Sequence, residues 1–233
     1  MRNEKMKYRH EQKYIADINK IATLFSRLNA TMQKDTHSAN GYHIRSLYFD
    51  DLFNSAFHDK EAGVYVREKF RIRIYDGKLD DFFLEKKMKV GNLSNKTRTK
   101  LSHKVLKQII LDDDLHNQFK ADRLLNEFLY KKKTQWLRPS QMVDYYRHAY
   151  VCSAGNVRIT IDQHLSAPLT LDMLDFDGVS MPAMDDGLSI IEVKYDELFP
   201  DYLAQIIQMD FGRPQACSKY HLCRLAKNKI LGV

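Results

Sequence analysis

Between Val64 and Tyr75 a cation stands at every second position: Arg67, Lys69, Arg71 and Arg73, with Tyr75 in the same phase. The other parity carries Val64, Val66, Phe70, Ile72 and Ile74, broken only by Glu68. Strict alternation marks a β-strand with one apolar and one basic face. Stacked cations repel one another, so such a face suits bulk water or a bound polyanion. The pattern recurs along the chain. Glu85, Lys87 and Lys89 oppose Phe82, Leu84 and Met88, while Lys96, Arg98 and Lys100 share a parity. Arg147 is in phase with Tyr145, and Arg158, Thr160 and Asp162 oppose Val157, Ile159 and Ile161. Glu192 and Lys194 oppose Ile191, Val193 and Tyr195, and Glu11 and Lys13 behave alike near the N-terminus.

Three arrangements fit: an open sheet with its charged face in water, a sandwich, or a sheet closed on its charged faces with helices outside. Water-facing strands usually mix Thr, Ser, Gln and charges of both signs, whereas these are rich in Arg and Lys. Agreement between distant strands favours an enclosed cationic cavity. Glu11, Glu85 and Glu192 each stand two positions before a lysine, and Asp162 stands four after Arg158. Such carboxylates either pair with the crowded cations or offer hard oxygens to a magnesium or manganese ion beside phosphate.

The elements that must carry these residues follow from periodicity. Arg9 to Ile15 reads as a strand. Asp17 then caps a helix bearing Ile18, Ile21, Leu24, Phe25 and Leu28. Thr31 to Gly41 reads as a loop, Tyr42 to Asp50 as a strand, and Asn54 to Lys60 as a short helix or loop. Asp76-Gly77 turns the basic strand into Asp81 to Val90, and Gly91-Asn92 turns that into Ser94 to Lys100, an antiparallel meander. Ser102 to Ile110 and Asp112 to about Trp136 read as helices, with aspartates at the start of the second and Lys131 to Lys133 at its end. Strands resume at Gln141 to Val151 and Val157 to Asp162. Asp172 to Gly187 reads as loop or edge, and Leu188 to Tyr195 as a last strand. Asp201 to Met209 and Ser218 to about Ile230 read as helices, the latter capped by Ser218. With no repeat or linker, the expectation is one antiparallel β domain with helical insertions over residues 1–233.

A chain of 233 residues with 44% hydrophobic and 29% charged content can bury a core without disulfides. Its net charge of +7 points to an anionic partner. Cys152, Cys217 and Cys223 form no CxxC pair, Met1 to Lys13 lacks an apolar stretch, and no apolar run is long enough to cross a bilayer. A reduced, cytoplasmic protein is expected. P-loop, GxGxxG, HExxH and kinase signatures are missing, as are RNA-reading motifs, so no nucleic-acid partner is expected. The histidines, His10, His43 and His148 included, show no ligand spacing, and the Asp172, Asp175, Asp177 cluster lacks calcium-loop spacing. Ser218-Lys219 at a helix start offers a hydroxyl, an ammonium and free N–H groups, which together can grip phosphate; an ordinary cap is the plainer reading.

The ordered series His10-Glu11-Gln12-Lys13-Tyr14, Arg45-Ser46-Leu47-Tyr48-Phe49-Asp50, Lys69-Phe70-Arg71-Ile72-Arg73, Leu84-Glu85-Lys86-Lys87, Tyr145-Tyr146-Arg147, Arg158-Ile159-Thr160-Ile161-Asp162, Ile191-Glu192-Val193-Lys194 and Ser218-Lys219-Tyr220 resembles the VTC domain. That is the polyphosphate polymerase domain of the triphosphate tunnel metalloenzyme, or CYTH-like, superfamily. The resemblance implies an α+β fold: an antiparallel β-barrel with charged interior and helices packed outside. It implies that Arg71, Arg73, Lys87, Arg147, Arg158 and Lys194 are catalytic. Lys13, Arg45, Lys69, Lys96, Arg98, Tyr145, Ser218 and Lys219 would bind substrate. Glu192 would be the foremost ligand of Mn²⁺ or Mg²⁺, with Glu11 and Glu85 behind it. The family often has a basic residue two positions before the Ser of the Ser-Lys pair; here Ala216 stands there.

The implied reaction transfers the γ-phosphoryl of ATP to a growing polyphosphate chain. Its partners are ATP and polyphosphate, with a separately encoded membrane protein that could hold the domain at the inner face of a membrane. Hydrolysis of a triphosphate in the same tunnel, with Glu11 or Glu85 orienting water, and a non-catalytic polyphosphate-binding module are the alternatives.

Overall fold

The computed structural model describes residues 8–36, 40–111 and 122–232. The alternating segments are strands. Arg9–Ala16 forms β1, Gln33–Lys34 β2, Tyr42–Asp50 β3, Val66–Tyr75 β4, Phe82–Val90 β5 and Leu93–Leu101 β6. Arg138–Cys152 forms β7, Val157–Pro168 β8, Ser180–Pro182 β9 and Ser189–Tyr195 β10. The helices are α1 (Ile18–Thr31), α2 (Ser55–Glu61), α3 (His103–Leu111), α4 (Arg123–Thr134), α5 (Asp201–Phe211) and α6 (Lys219–Leu231).

All pairings are antiparallel. The order β7-β3-β4-β5-β6-β1-β10-β8 returns to its start because β8 also pairs with β7, so these strands close a ring, and β2 and β9 extend its edges. Registers carry one layer across four strands: Tyr48 faces Arg71, Arg71 faces Glu85, and Glu85 faces Arg98. Directly opposed residues share a face of the sheet, so the charges of this layer point the same way.

The apolar parity faces outward to helices. Phe70, Ile72, Leu84, Leu47 and Phe49 form a core with α3 and α4 through Leu106, Ile109, Leu125 and Phe128. Tyr14, Ile159, Ile161, Ile191 and Val193 pack against α1 and α5 through Leu24, Leu28, Leu203 and Ile207. Glu68, the break in the basic strand's alternation, points to this outer side and pairs with Lys86 and Lys131. Helix α6 is different. Its Tyr220 and Cys223 pack on inner-parity residues Ile44, Tyr48, Val143, Tyr145 and Ile190, so it occupies one end of the ring's interior.

Asp17 caps α1 as expected, accepting from Asn19 and Lys20 N–H at 3.0 Å. Ile18 falls outside the buried stripe of Ile21, Leu24 and Leu28 and is exposed. Other expectations need correction. The Thr31 to Gly41 stretch contains β2, held by pairing with Val151 and Tyr150. Strands β7 and β8 run beyond their expected ends, and the Asp172 to Gly187 stretch contributes the short edge β9. The aspartates from Asp112 lie outside the described residues; α4 begins at Arg123, with Asp122 accepting from Leu125 N–H at 2.9 Å. Ser218 stands at the N-cap of α6, yet its hydroxyl makes no capping bond. Among the described residues no helix is long and apolar enough to cross a membrane.

Candidate active site

The ring encloses a cavity of about 960 Å³ lined by the basic parity of its strands. Burying cations together is unfavourable unless each finds a carboxylate, and here nearly every one does. Arg71 donates to Glu85 at 2.8 Å through Nε and to Tyr48 Oη at 2.7 Å through Nη1. Arg73 donates to Ser46 Oγ at 3.0 Å and to Tyr145 Oη at 2.9 Å, and lies 3.7 Å from Glu85. Lys96 completes the group at 2.9 Å from Glu85 Oε1. Burial drives the Glu85 carboxyl upward, but Arg71, Arg73 and Lys96 overcome it and hold the group well below the usual carboxylate range.

A second group lies on β1, β5 and β10. Lys87 donates to both oxygens of Glu11 at 2.7 Å, and Ser94 Oγ donates to Glu11 at 2.9 Å. Lys13 lies between Glu11 and Glu192, at 3.4 and 3.7 Å, and Lys194 pairs with Glu192. Burial pushes both carboxyls up, yet Lys87, Lys13 and Lys194 hold both strongly ionised. Burial lowers Lys87 to about 7 against the pull of Glu11. The third group joins β7, β8 and α6. Arg147 grips Asp162 at 2.6 and 2.7 Å, and Lys219 reaches the same carboxylate at 2.6 Å. Arg158, nearer the rim, pairs with Asp35 at 2.7 Å and Tyr42 Oη at 3.3 Å.

The sequence model of the VTC domain matches residues 8–226. The chain belongs to the VTC domain family. Among solved structures, this VTC domain matches a Hippeastrum protein described as having a dominant triphosphatase activity. The TM-score is 0.58 at 11% identity, covering 94% of this chain and 96% of that one. A Bacillus halodurans protein described as a candidate adenylate cyclase matches with a TM-score of 0.49 at 14% identity, over 97% and 89% of the two chains. At such identity the Hippeastrum match speaks for the tunnel fold alone. No curated protein matches the chain.

The VTC domain brings most of the residues singled out from sequence to this cavity. Arg71, Arg73, Lys87, Arg147, Arg158 and Lys194 line it, as do Lys13, Lys69, Lys96 and Arg98. Tyr145, Ser218, Lys219, Glu11 and Glu192 complete the set.

Two residues do not line it. Arg45 has the opposite parity on β3 and points outward, where it is buried against both oxygens of Asp144, the Asp175 carbonyl and the Phe176 ring. Its charge is engaged on the outer face and does not line the cavity. Glu85 is 0% exposed and lies behind its cations instead of lining the cavity. Arg71, Arg73 and Lys96 all pair with it, so a metal there would have to displace three cations at a carboxylate that has no surface on the cavity.

The carboxylates that line the cavity are Glu11 and Glu192, each paired with lysines that a metal would have to displace. They are diagonal neighbours on paired strands, since Glu192 faces Lys13 and Glu11 faces Lys194, and both are ionised. Beside them Thr160, the Cα partner of Glu192 on β8, has a buried hydroxyl without a hydrogen-bond partner. Among the described residues no three His, Cys, Asp or Glu gather as ligands. Two carboxylates fit a hard ion that takes its remaining ligands from water and phosphate.

Sequence reasoning missed Ser46, Tyr48 and Asp35. Ser46 and Tyr48 have inner parity on β3, but only the register with β4 shows that they meet Arg73 and Arg71. Asp35 lies in a connection with no periodicity to signal it.

Proposed function

We propose that this VTC domain is a phosphotransferase that moves the γ-phosphoryl of ATP onto the end of a polyphosphate chain. The observation that carries the reading is the buried, carboxylate-ordered set of cations around one cavity. One phosphate cannot neutralise them all; a chain can. The nucleophile is a terminal phosphate oxygen, already anionic, so no activating base is required. A bond forms from that oxygen to the γ-phosphorus. The bond from the γ-phosphorus to the β-bridging oxygen breaks, and ADP leaves with the electron pair.

Catalysis is then positioning and charge stabilisation. Arg71 and Arg73 are held rigid by Glu85, Tyr48, Ser46 and Tyr145, so their free N–H groups can clamp the triphosphate with little reorganisation. Arg147 and Lys219, ordered by Asp162, and Lys87 and Lys194, ordered by Glu11 and Glu192, offset charge on non-bridging oxygens. Glu11 and Glu192 would hold Mn²⁺ or Mg²⁺, which supplies further neutralisation of the phosphates when bound.

The second reading is triphosphate hydrolysis, the activity described for the Hippeastrum protein that shares the fold. Against it, Glu85 does not line the cavity and is held by Arg71, Arg73 and Lys96, which leaves it poorly placed to orient water. Incubation with ATP, Mn²⁺ and a polyphosphate primer separates the readings. Chain growth with ADP release supports transfer. Free phosphate without growth supports hydrolysis, and tight binding with neither product leaves a binding module.

A further inference from the structure

Two of the tyrosines that line the cavity, Tyr48 and Tyr145, turn their hydroxyls to Arg71 and Arg73. Three further rings line it as a cluster: Tyr42 on β3, Tyr75 on β4 and Phe83 on β5. Tyr75 stands in the middle, its ring centre 5.9 Å from that of Tyr42 and 6.0 Å from that of Phe83. Register brings them together. Phe83 is the Cα partner of Arg73, two residues before Tyr75, and Tyr75 is the partner of Ile44, two residues after Tyr42. Tyr75 and Phe83 are only half-buried, so part of each ring is open to the cavity.

The cluster lies at the end of the ring away from α6. Asp76 and Lys78, in the turn that follows Tyr75, are exposed and still line the cavity, so the cavity reaches solvent at this end. At the other end Tyr220 of α6 packs on Tyr48, six residues along β3 from Tyr42. Open ring faces are out of place for phosphate alone, because the face of an aromatic ring is electrically negative. They suit a nucleobase, which stacks on aromatic rings whatever its identity. Arginines frame the cluster: Arg73 lies 5.9 Å from the centre of Tyr75 and Arg98 5.2 Å from that of Phe83.

Along β4, Arg71, Arg73 and Tyr75 share the inner parity at steps of about 7 Å. A triphosphate on the two arginines therefore meets a ring one step further towards the open end, with room for a ribose between. We propose that Tyr75, with Tyr42 and Phe83 beside it, forms a nucleobase subsite, so that a nucleoside triphosphate binds with its base at the open mouth and its phosphates pointing inward to Arg71. The inference rests on the tunnel being a site for ATP; it adds where the base is held and which way the nucleotide faces.

The test uses an ATP analogue and a tripolyphosphate analogue, both with imido bridges and with Mn²⁺ present, so that binding is read without turnover. Each is titrated calorimetrically into wild type, Tyr75→Leu, Tyr75→Phe and Phe83→Leu, and melting temperatures are recorded. Leucine keeps apolar bulk and removes the ring face. Tyr75→Leu should lose about tenfold in affinity for the ATP analogue, the scale of one lost base–ring stack. Affinity for the tripolyphosphate analogue should stay within about twofold, and Tyr75→Phe should keep wild-type affinity for both. Phe83→Leu should show the same separation as Tyr75→Leu and stands in for it if that variant does not fold. Equal losses for both ligands, or none for either, overturn the base subsite while leaving the tunnel reading intact. Wild-type protein that binds the tripolyphosphate analogue but not the ATP analogue overturns the subsite and transfer from ATP together. Wild-type protein that binds neither overturns the tunnel reading as well.

Discussion

Arg147 and Asp162 are Cα partners across β7 and β8, the pairing that closes the ring, and Arg147 donates to both Asp162 oxygens at 2.6 and 2.7 Å. The seam of the tunnel and the anchor of a cavity-lining cation are thus one structure. Replacing Asp162 with Ala strands Arg147 and Lys219 as buried, unpaired cations. Loss of about 3–5 kcal/mol is expected, read by denaturant unfolding. Tripolyphosphate, supplying the missing negative charge, should recover more stability in the variant than in wild type.

Arg71→Ala and Arg73→Ala should each lower turnover by about 10²–10³, the scale for removing one preorganised charge-stabilising donor. Glu85 keeps two of its three cations in either variant, so the stability cost should fall below the 3–5 kcal/mol of a fully broken buried pair. Near wild-type turnover in both variants would contradict the clamp.

Glu192→Gln and Glu11→Gln should each weaken Mn²⁺ binding by about tenfold or more, as one of only two protein carboxylates is lost. Titration of Mn²⁺ monitored by electron paramagnetic resonance, with a nonhydrolysable ATP analogue present, reads this without turnover. An unchanged Mn²⁺ isotherm in Glu192→Gln would remove it from the ligand set.

Burial, partly opposed by neighbouring carboxylates, depresses Lys69 and Lys96 to about 8 and Lys87 to about 7, from 10.5. A bound phosphate chain favours the ammonium forms and raises these values. Binding above about pH 7 therefore takes up protons, and affinity should weaken as pH rises through about 7 to 8. Calorimetry in buffers of different ionisation enthalpy measures the uptake; proton release on binding would contradict the account. In the ligand-free protein the sign reverses. Above about pH 7 the unfolded chain holds more protons on these lysines, so their contribution to stability rises with pH over that window.

Arg45→Ala should behave as an outer-face lesion. Stability should fall by about 3–5 kcal/mol, because Asp144 loses its bidentate partner in a buried site. Tripolyphosphate affinity of the folded variant should stay within about twofold. A collapse of that affinity at preserved stability would return Arg45 to the phosphate path.

The alternation of Arg67 to Tyr75 and its counterparts on β1, β5, β8 and β10 made the strands and their faces legible, because a side-chain period of two leaves one set of residues for the core and one for the charge. The ordered motifs likewise named the family. Arg45 shows where that legibility ended. Its motif placed it on the path, but its parity on β3 is that of Leu47 and Phe49, which face the helices. The partners were not legible either. Glu85 stands two positions before Lys87 and pairs with Arg71, Arg73 and Lys96; Lys87 turns to Glu11, 76 residues away. Sequence alone determined which residues are charged on one side of a strand, since that depends on local backbone geometry. Only the closed ring decided which charges meet, since cross-strand neighbours are set by register and closure, and those are properties of the whole sheet.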